Sequence, residues 1–326
     1  MPLLDKEGRR GGPPYTPPAA LSIAGVEGAP LRALGVVGLT LIASVCYVAI
    51  TTGLQYAPPL YFGGLRAMIA GITLLGFAAA LRLPVLPPRD LWLGTLALAM
   101  TTTTVTYGGM FLSPGRVGAG IAAVLGNVQP LITVVLAAFF LHERITRTKA
   151  IALLLGLAGV LLIAYPGFGE AGSSVGVGSL LALTASLGAA IGSVISKRLN
   201  LREALLAVTG WQFMLGSTVL LVVAFGVEPV ATTAWGAEFI GILLFLALIG
   251  TAFATAAWFW LLQHDDVGRL SLILFIVPVL GLGLAMLIFG ERVGAVEAIG
   301  AMLIAAAIGS VLHGARKDEI LSPRTP

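Results

Sequence analysis

The chain holds 326 residues, 58% of them apolar and only 10% charged, with a mean hydropathy of +1.00. A soluble domain carries about 25% charged residues, so a large soluble core is excluded and a multi-span membrane protein is implied. The net charge of +4 then reflects loop placement, not nucleic-acid binding, and a single cysteine, Cys46, excludes an internal disulfide framework or a cysteine-based zinc site.

Residues 1–31 are rich in Pro and Gly and lack the apolar core of a signal peptide, so they read as a disordered cytoplasmic tail. Ten apolar runs follow, near 33–54, 59–81, 91–112, 118–141, 149–165, 177–196, 203–225, 237–262, 268–289 and 294–313. Each is long enough to cross about 30 Å of hydrocarbon at about 1.5 Å per residue. The connections are short, no soluble domain is inserted, and residues 315–326 read as a second cytoplasmic tail. No nucleotide-binding loop, zinc-protease helix or nucleophile elbow is present. With the N-terminus inside, 16 of the 19 basic residues fall in inner segments, only Arg116 and Arg292 fall outside, and Arg66 lies within a span. That asymmetry places both termini in the cytoplasm.

One unit occurs twice. Asn127-Val128-Gln129-Pro130 leads through an apolar run to His142-Glu143-Arg144; Phe275-Ile276-Val277-Pro278 leads to Gly290-Glu291-Arg292. In both copies 13 positions separate Pro from Glu, and residues 119–164 align without gaps on 267–312 with ten identities. The earlier helices match more loosely, Gly64-Leu65-Arg66-Ala67-Met68 on Gly210-Trp211-Gln212-Phe213-Met214. The expected fold is all-α integral membrane: ten transmembrane helices as two inverted five-helix repeats, residues 32–166 and 167–314. An odd number of spans per copy forces the inversion, a plan common among secondary transporters.

Ten spans and paired Pro-to-Glu units, each followed by a helix rich in Gly and Ala (Gly156 and Gly159; Gly300 and Gly309), resemble the drug/metabolite transporter superfamily and, within it, the EamA-type exporters. The resemblance covers residues 33–313. It implies export of an amino acid, another metabolite or a drug, a bacterial inner membrane, and a central cavity lined by the third, fourth, eighth and ninth helices. The pattern departs from symmetry at His142, where the second copy has Gly290, and at the polar Asn127 and Gln129.

Arg66 lies about eight residues into its span. Leaving an arginine unpaired in lipid costs at least about 2.5 kcal/mol, so it should face the bundle. It either draws a carboxylate or phosphate of the solute or pairs with backbone carbonyls. Gln212 is its repeat counterpart. Asn127 and Gln129 flank the break at Pro130 and either line the opening or satisfy a freed carbonyl. Tyr107 offers ring and hydroxyl to a cavity, while the threonines 101–104 and 106 read as helix packing through bonds to the preceding turn. Trp211, nine residues into its span, is too deep for an interfacial belt and reads as a cavity wall. Pro130 and Pro278 are helix breaks. Glu143 and Glu291 are either surface ion pairs with Arg144 and Arg292 or gates at the two faces.

No metal and no cofactor are expected, since His142, His264 and His313 lie at span ends far apart in sequence. The expected partners are a small-molecule solute and the lipid bilayer. The ridges Gly63/Ala67/Gly71 and Ala301/Ala305/Gly309 fit either internal packing or a homodimer face. The alternative function is an integral-membrane enzyme acting on a lipid-linked substrate, which would need convergent acid, base or nucleophile groups near one face.

Overall fold

The structure, a computed structural model, describes residues 29–113, 128–164, 175–277, 279–280 and 294–321. The chain divides into a short N-terminal unit ending at Gly35 and a main unit from Val36 onward, and the main unit carries the site. The described residues are helical, without a strand. The helices are α1 (Ala29–Gly53), α2 (Pro59–Ala80), α3 (Trp92–Leu98), α4 (Thr106–Leu112), α5 (Gln129–Phe140), α6 (Arg147–Ala164), α7 (Val175–Leu199), α8 (Leu205–Val227), α9 (Ala237–Ala247), α10 (Ala254–His264), α11 (Val267–Ile273) and α12 (Ala295–Leu321). Among them, Gly35–Gly53, Pro59–Ala80, Val177–Leu199, Arg202–Val227 and Ala237–His264 are long and apolar enough to cross a bilayer.

Two of the expected spans contain a feature that hydropathy does not reveal. A π-helical turn over Ala99–Val105 joins α3 to α4, and another over Leu248–Phe253 joins α9 to α10. Widening the helix to i→i+5 bonding re-aims side chains and carbonyls, and such turns gather at functional sites. Threonines close several of these wider bonds: Thr104 Oγ1 donates to Ala99 O at 3.2 Å, and Thr251 Oγ1 to Leu246 O at 2.8 Å. Of the threonine run, Thr101 bonds four residues back and Thr104 and Thr106 five residues back, whereas Thr102 and Thr103 make no such bond.

α2 and α8 pack along each other through glycines. A side chain at Gly64 would meet Leu221 at 2.8 Å, and one at Gly210 would meet Leu75 at 2.6 Å. These are the same contact made twice, 146 residues apart. Gly71 lies against Gly210 and Met214, and Ser217 Oγ against Met68 Sδ at 3.6 Å. As the residue number rises on α2 its partner's number falls on α8, so the two helices run antiparallel. A second pair of contacts repeats likewise: Gly250 abuts Cys46, and Thr102 abuts Gly192. The π-helical turns therefore correspond at an offset of 148, matching Thr102 to Gly250 and Thr103 to Thr251.

The loops gather in two groups. Tyr56, Leu60 and Tyr61 meet Glu228, Ala234 and Trp235. At the far end of α2, Val85 meets Trp211, Gly94 lies against Leu199, Leu201 bonds Gln263, and Glu143 reaches Val267. With 22 residues, α2 spans about 33 Å between the groups.

Pro130 stands at the first turn of α5, where its missing N–H sacrifices no helical bond. α11 ends at Ile273, and beyond it Ser44 Oγ donates to Val277 O at 3.2 Å, so a hydroxyl on α1 serves a carbonyl beside Pro278. α12 continues to Leu321, so the start of the expected second tail is helical. Asn127, Pro278 and Glu291 lie outside the described residues.

Candidate functional site

Arg66 sits on α2 with only 4% of its surface exposed. Its Nε donates to Thr251 Oγ1 at 2.5 Å and its Nη2 to Gly250 O at 3.1 Å. Both acceptors belong to the second π-helical turn. A side chain at Gly250 would overlap Cys46 Sγ, so glycine suits this position. The guanidinium carbon stands 5.2 Å from the Tyr107 ring centroid and 6.0 Å from that of Phe111. A desolvated cation over an aromatic face gains about 2 kcal/mol. The third guanidinium nitrogen, Nη1, is buried and has no hydrogen-bond partner among the described residues. Among the described residues no carboxylate pairs with Arg66. A buried donor left open costs about 1–3 kcal/mol, more when charged. The arrangement fixes a cation inside the bundle and leaves Nη1, with its two N–H groups, able to take an anionic group.

Tyr107 is itself buried and stacks near Phe111 and Phe213, with ring centroids 6.2 Å away in both cases. Gln212 is fully buried, and neither its amide nitrogen nor its oxygen has a partner among the described residues. Thr102 Oγ1 and Thr103 Oγ1, on the first π-helical turn, are likewise buried without one. Gly216, one turn along α8 from Gln212, brings α8 to Thr103, where a side chain would meet its Cβ at 2.5 Å. The buried polar groups of the bundle thus fall into two corresponding sets: Arg66 with Thr251 and Gly250, and Gln212 with Thr103 and Thr102.

Trp211 is placed differently from its expected depth. Its indole Nε1 donates to Val85 O at 3.0 Å and its ring lies edge-on to Trp92 at 5.4 Å. It anchors the loop after α2, which folds back along the start of α8. Gln129 is half-buried at the start of α5, and its backbone carbonyl accepts from Thr133 Oγ1 at 2.8 Å.

Glu143 does not pair with Arg144, which is exposed. In the loop between α5 and α6, its carboxylate accepts from the Val267 and Gly268 backbone N–H groups at 2.8 and 3.0 Å. Lys149 Nζ lies 3.5 Å from Glu143 and 2.7 Å from Asp266. Asp265 pairs with Arg269, and its backbone carbonyl accepts from Lys197 at 2.8 Å. Burial raises the Glu143 carboxyl above the ordinary range, aided by a hydrogen bond to Asp266. Burial opposes the Asp266 charge too, but bonds from Glu143, Lys149 and the Arg269 N–H hold its pKa below the usual value. The cluster joins the α5–α6 loop to the α10–α11 loop, one from each repeat.

Thr251 and Gly250 escaped the sequence reading, and Asp266, Lys149 and Lys197 entered it only as inner-loop charges. The available signal was Thr251 itself, a hydroxyl in an apolar run at the offset that maps Thr103 onto it.

The EamA-like transporter family matches this chain twice, over residues 31–165 and 176–312. The chain belongs to the EamA-like transporter family. It is therefore a member of the drug/metabolite transporter superfamily. Among its relatives, the uncharacterized transporter YvbV of Bacillus subtilis is 30% identical over 78% of this chain and 83% of its own length. The uncharacterized transporter YoaV of the same organism is 29% identical over 84% and 94%. A probable amino-acid metabolite efflux pump of Escherichia coli is 26% identical over 79% and 87%. A solved crystal structure superposes with a TM-score of 0.74 at 22% identity, covering 90% of this chain and all of the other, which supports the fold alone. Like its family, this EamA-like protein is a membrane transporter, with the buried arginine seated where its two repeats meet.

Proposed function

We propose that the protein is a secondary transporter that exports a small polar metabolite, an amino acid above other classes, across the cytoplasmic membrane by alternating access. The observation that carries the reading is the open Nη1 of Arg66, a nitrogen with two N–H groups to spare on a fixed and desolvated cation. A solute carboxylate suits it in charge and in geometry. The Escherichia coli relative, a probable amino-acid metabolite efflux pump, favours the same class.

The ten spans form two inverted repeats, residues 32–166 and 167–314. Antiparallel packing of α2 on α8, with Gly64 on Leu221 repeated as Gly210 on Leu75, supports this. So does the separation of loops into two groups, consistent with alternate crossings. Basic residues put the group holding Glu143 and Val85 in the cytoplasm. Arg66 and Tyr107 face the solute near the midplane. The Glu143 cluster ties the repeats at the inner end, and its release opens that end; Glu228, which accepts from Leu60 and Tyr61 N–H at 2.8 and 2.9 Å, ties them at the outer end. Repeats that exchange roles as inner and outer gates are the general logic of such transporters.

The test is solute uptake by sealed liposomes holding the purified protein, offered a mixture of amino acids, organic acids, nucleosides and small cationic drugs. Protein-dependent accumulation of an unmodified zwitterion or anion is expected. A chemically altered solute without accumulation would point to an enzyme instead.

A further inference from the structure

The two corresponding polar sets differ in one respect. In the second repeat's turn, the Thr251 hydroxyl and the Gly250 carbonyl are occupied by a cation, the Arg66 guanidinium. In the first repeat's turn, the matching positions are Thr103 and Thr102, and the residue corresponding to Arg66 is the uncharged Gln212. The correspondence rests on contacts made twice: Gly64 on Leu221 with Gly210 on Leu75, and Gly250 on Cys46 with Thr102 on Gly192. Two side-chain oxygens of this set, Gln212 Oε1 and Thr103 Oγ1, are buried and have no hydrogen-bond partner among the described residues, while Thr102 Oγ1, also without one, is turned toward Gly192 on α7. Buried polar atoms without partners call for an occupant, and a π-helical turn is where a membrane helix turns its oxygens toward one.

We propose that Gln212 and Thr103, with the backbone of Thr102, bind a compact monovalent cation, which fills in the first repeat the place that the Arg66 guanidinium fills in the second. Neutral oxygens suit a singly charged ion, since divalent sites draw on carboxylates. Two sources supply this chemistry: a free alkali ion, or the ammonium group of an amine-bearing solute. Counting along the antiparallel pair, Gln212 lies seven helical positions from the level of Arg66, about 10 Å along the axis. The site is therefore separate from the anion donor, though its use in transport rests on the function proposed above.

The test needs no transport. Thermal unfolding of the full-length protein in detergent is compared in NaCl, KCl, methylammonium chloride and choline chloride at equal ionic strength. A midpoint at least about 3 °C above that in choline is expected with one of the compact cations. An alkali effect identifies a free ion; an effect of methylammonium alone identifies the solute's amine. In Gln212→Arg the tethered guanidinium replaces the ion, so the variant unfolds in choline no lower than wild type and no longer responds to the salt. Thr103→Val also loses the response but gains no such substitute. Equal midpoints in all four salts overturn the proposal, as does a response that survives both substitutions.

Discussion

Arg66 on the second helix donates its Nε hydrogen to the hydroxyl of Thr251, 185 positions along the chain and 2.5 Å away. This bond joins the two halves of the protein in the middle of the bundle. It also decides which face of the guanidinium is spent on structure and which is left for a ligand. Arg66→Lys keeps the charge but loses the fork that serves Thr251 Oγ1 and Gly250 O together. Flux through this variant should fall at least about tenfold, the equivalent of about 1.4 kcal/mol, and parallel uptake and size-exclusion measurements would separate that loss from misfolding.

Topology gives the second prediction. In a Cys46→Ala background, single cysteines at Thr232 and at Arg144 should react with a membrane-impermeant maleimide from opposite sides, Thr232 from outside. Both positions are exposed. Labelling of both from one side would break the inverted-repeat account.

Close glycines supply the third. A side chain at Gly159 would lie 2.6 Å from Gly300 O and 3.2 Å from Ile304 N, backbone atoms that cannot turn away. Gly159→Ala should therefore force α6 and α12 apart and cost about 1–3 kcal/mol, read as a lowered unfolding midpoint. Gly76 has nothing within 4 Å, so Gly76→Ala should be neutral or gain up to about 1 kcal/mol in helix propensity.

The cytoplasmic cluster has a pH signature with a definite sign. Glu143 has a raised pKa through burial and Asp266, so its contribution to stability is full below the ordinary glutamate value and is lost as pH rises through the raised one. Glu143→Gln cannot lose it. The midpoint of the variant should gain on that of wild type between the ordinary glutamate pKa and neutral pH. Asp266, with a lowered pKa, behaves oppositely: its contribution is lost as pH falls below the ordinary aspartate value. Thermal melts of both proteins across that range are the check, and a variant that falls behind as pH rises contradicts the assignment.

Hydropathy, loop charge and the repeated Pro-to-Glu unit carried the fold class, because span length and charge placement are written directly in composition. Arg66 was legible for the same reason: a charge in an apolar run has few roles open to it. Its partners were not, because a π-helical turn leaves no compositional mark and Thr251 looks like any packing threonine until the turn aims it. The match of Thr103 to Thr251 has the 148 offset of the gapless alignment of 119–164 on 267–312 but lies upstream of that stretch, and the 146 offset of α2 and α8 separates it from the match of Arg66 to Gln212. Trp211 seemed deep because the helix begins soon after Arg202; nothing in sequence says that the loop at Val85 folds back to meet its indole. Its contact to Val85 O leads to a fifth expectation, that Trp211→Phe loses about 0.5–1.5 kcal/mol of stability but keeps its flux.

The most direct measurement is exchange of radiolabelled amino acids across sealed proteoliposomes holding wild type or Arg66→Ala, with folded protein matched by size-exclusion chromatography. The account predicts protein-dependent exchange of a carboxylate-bearing solute that disappears in Arg66→Ala. Undiminished exchange in that variant would contradict it and remove the buried guanidinium from the solute's path.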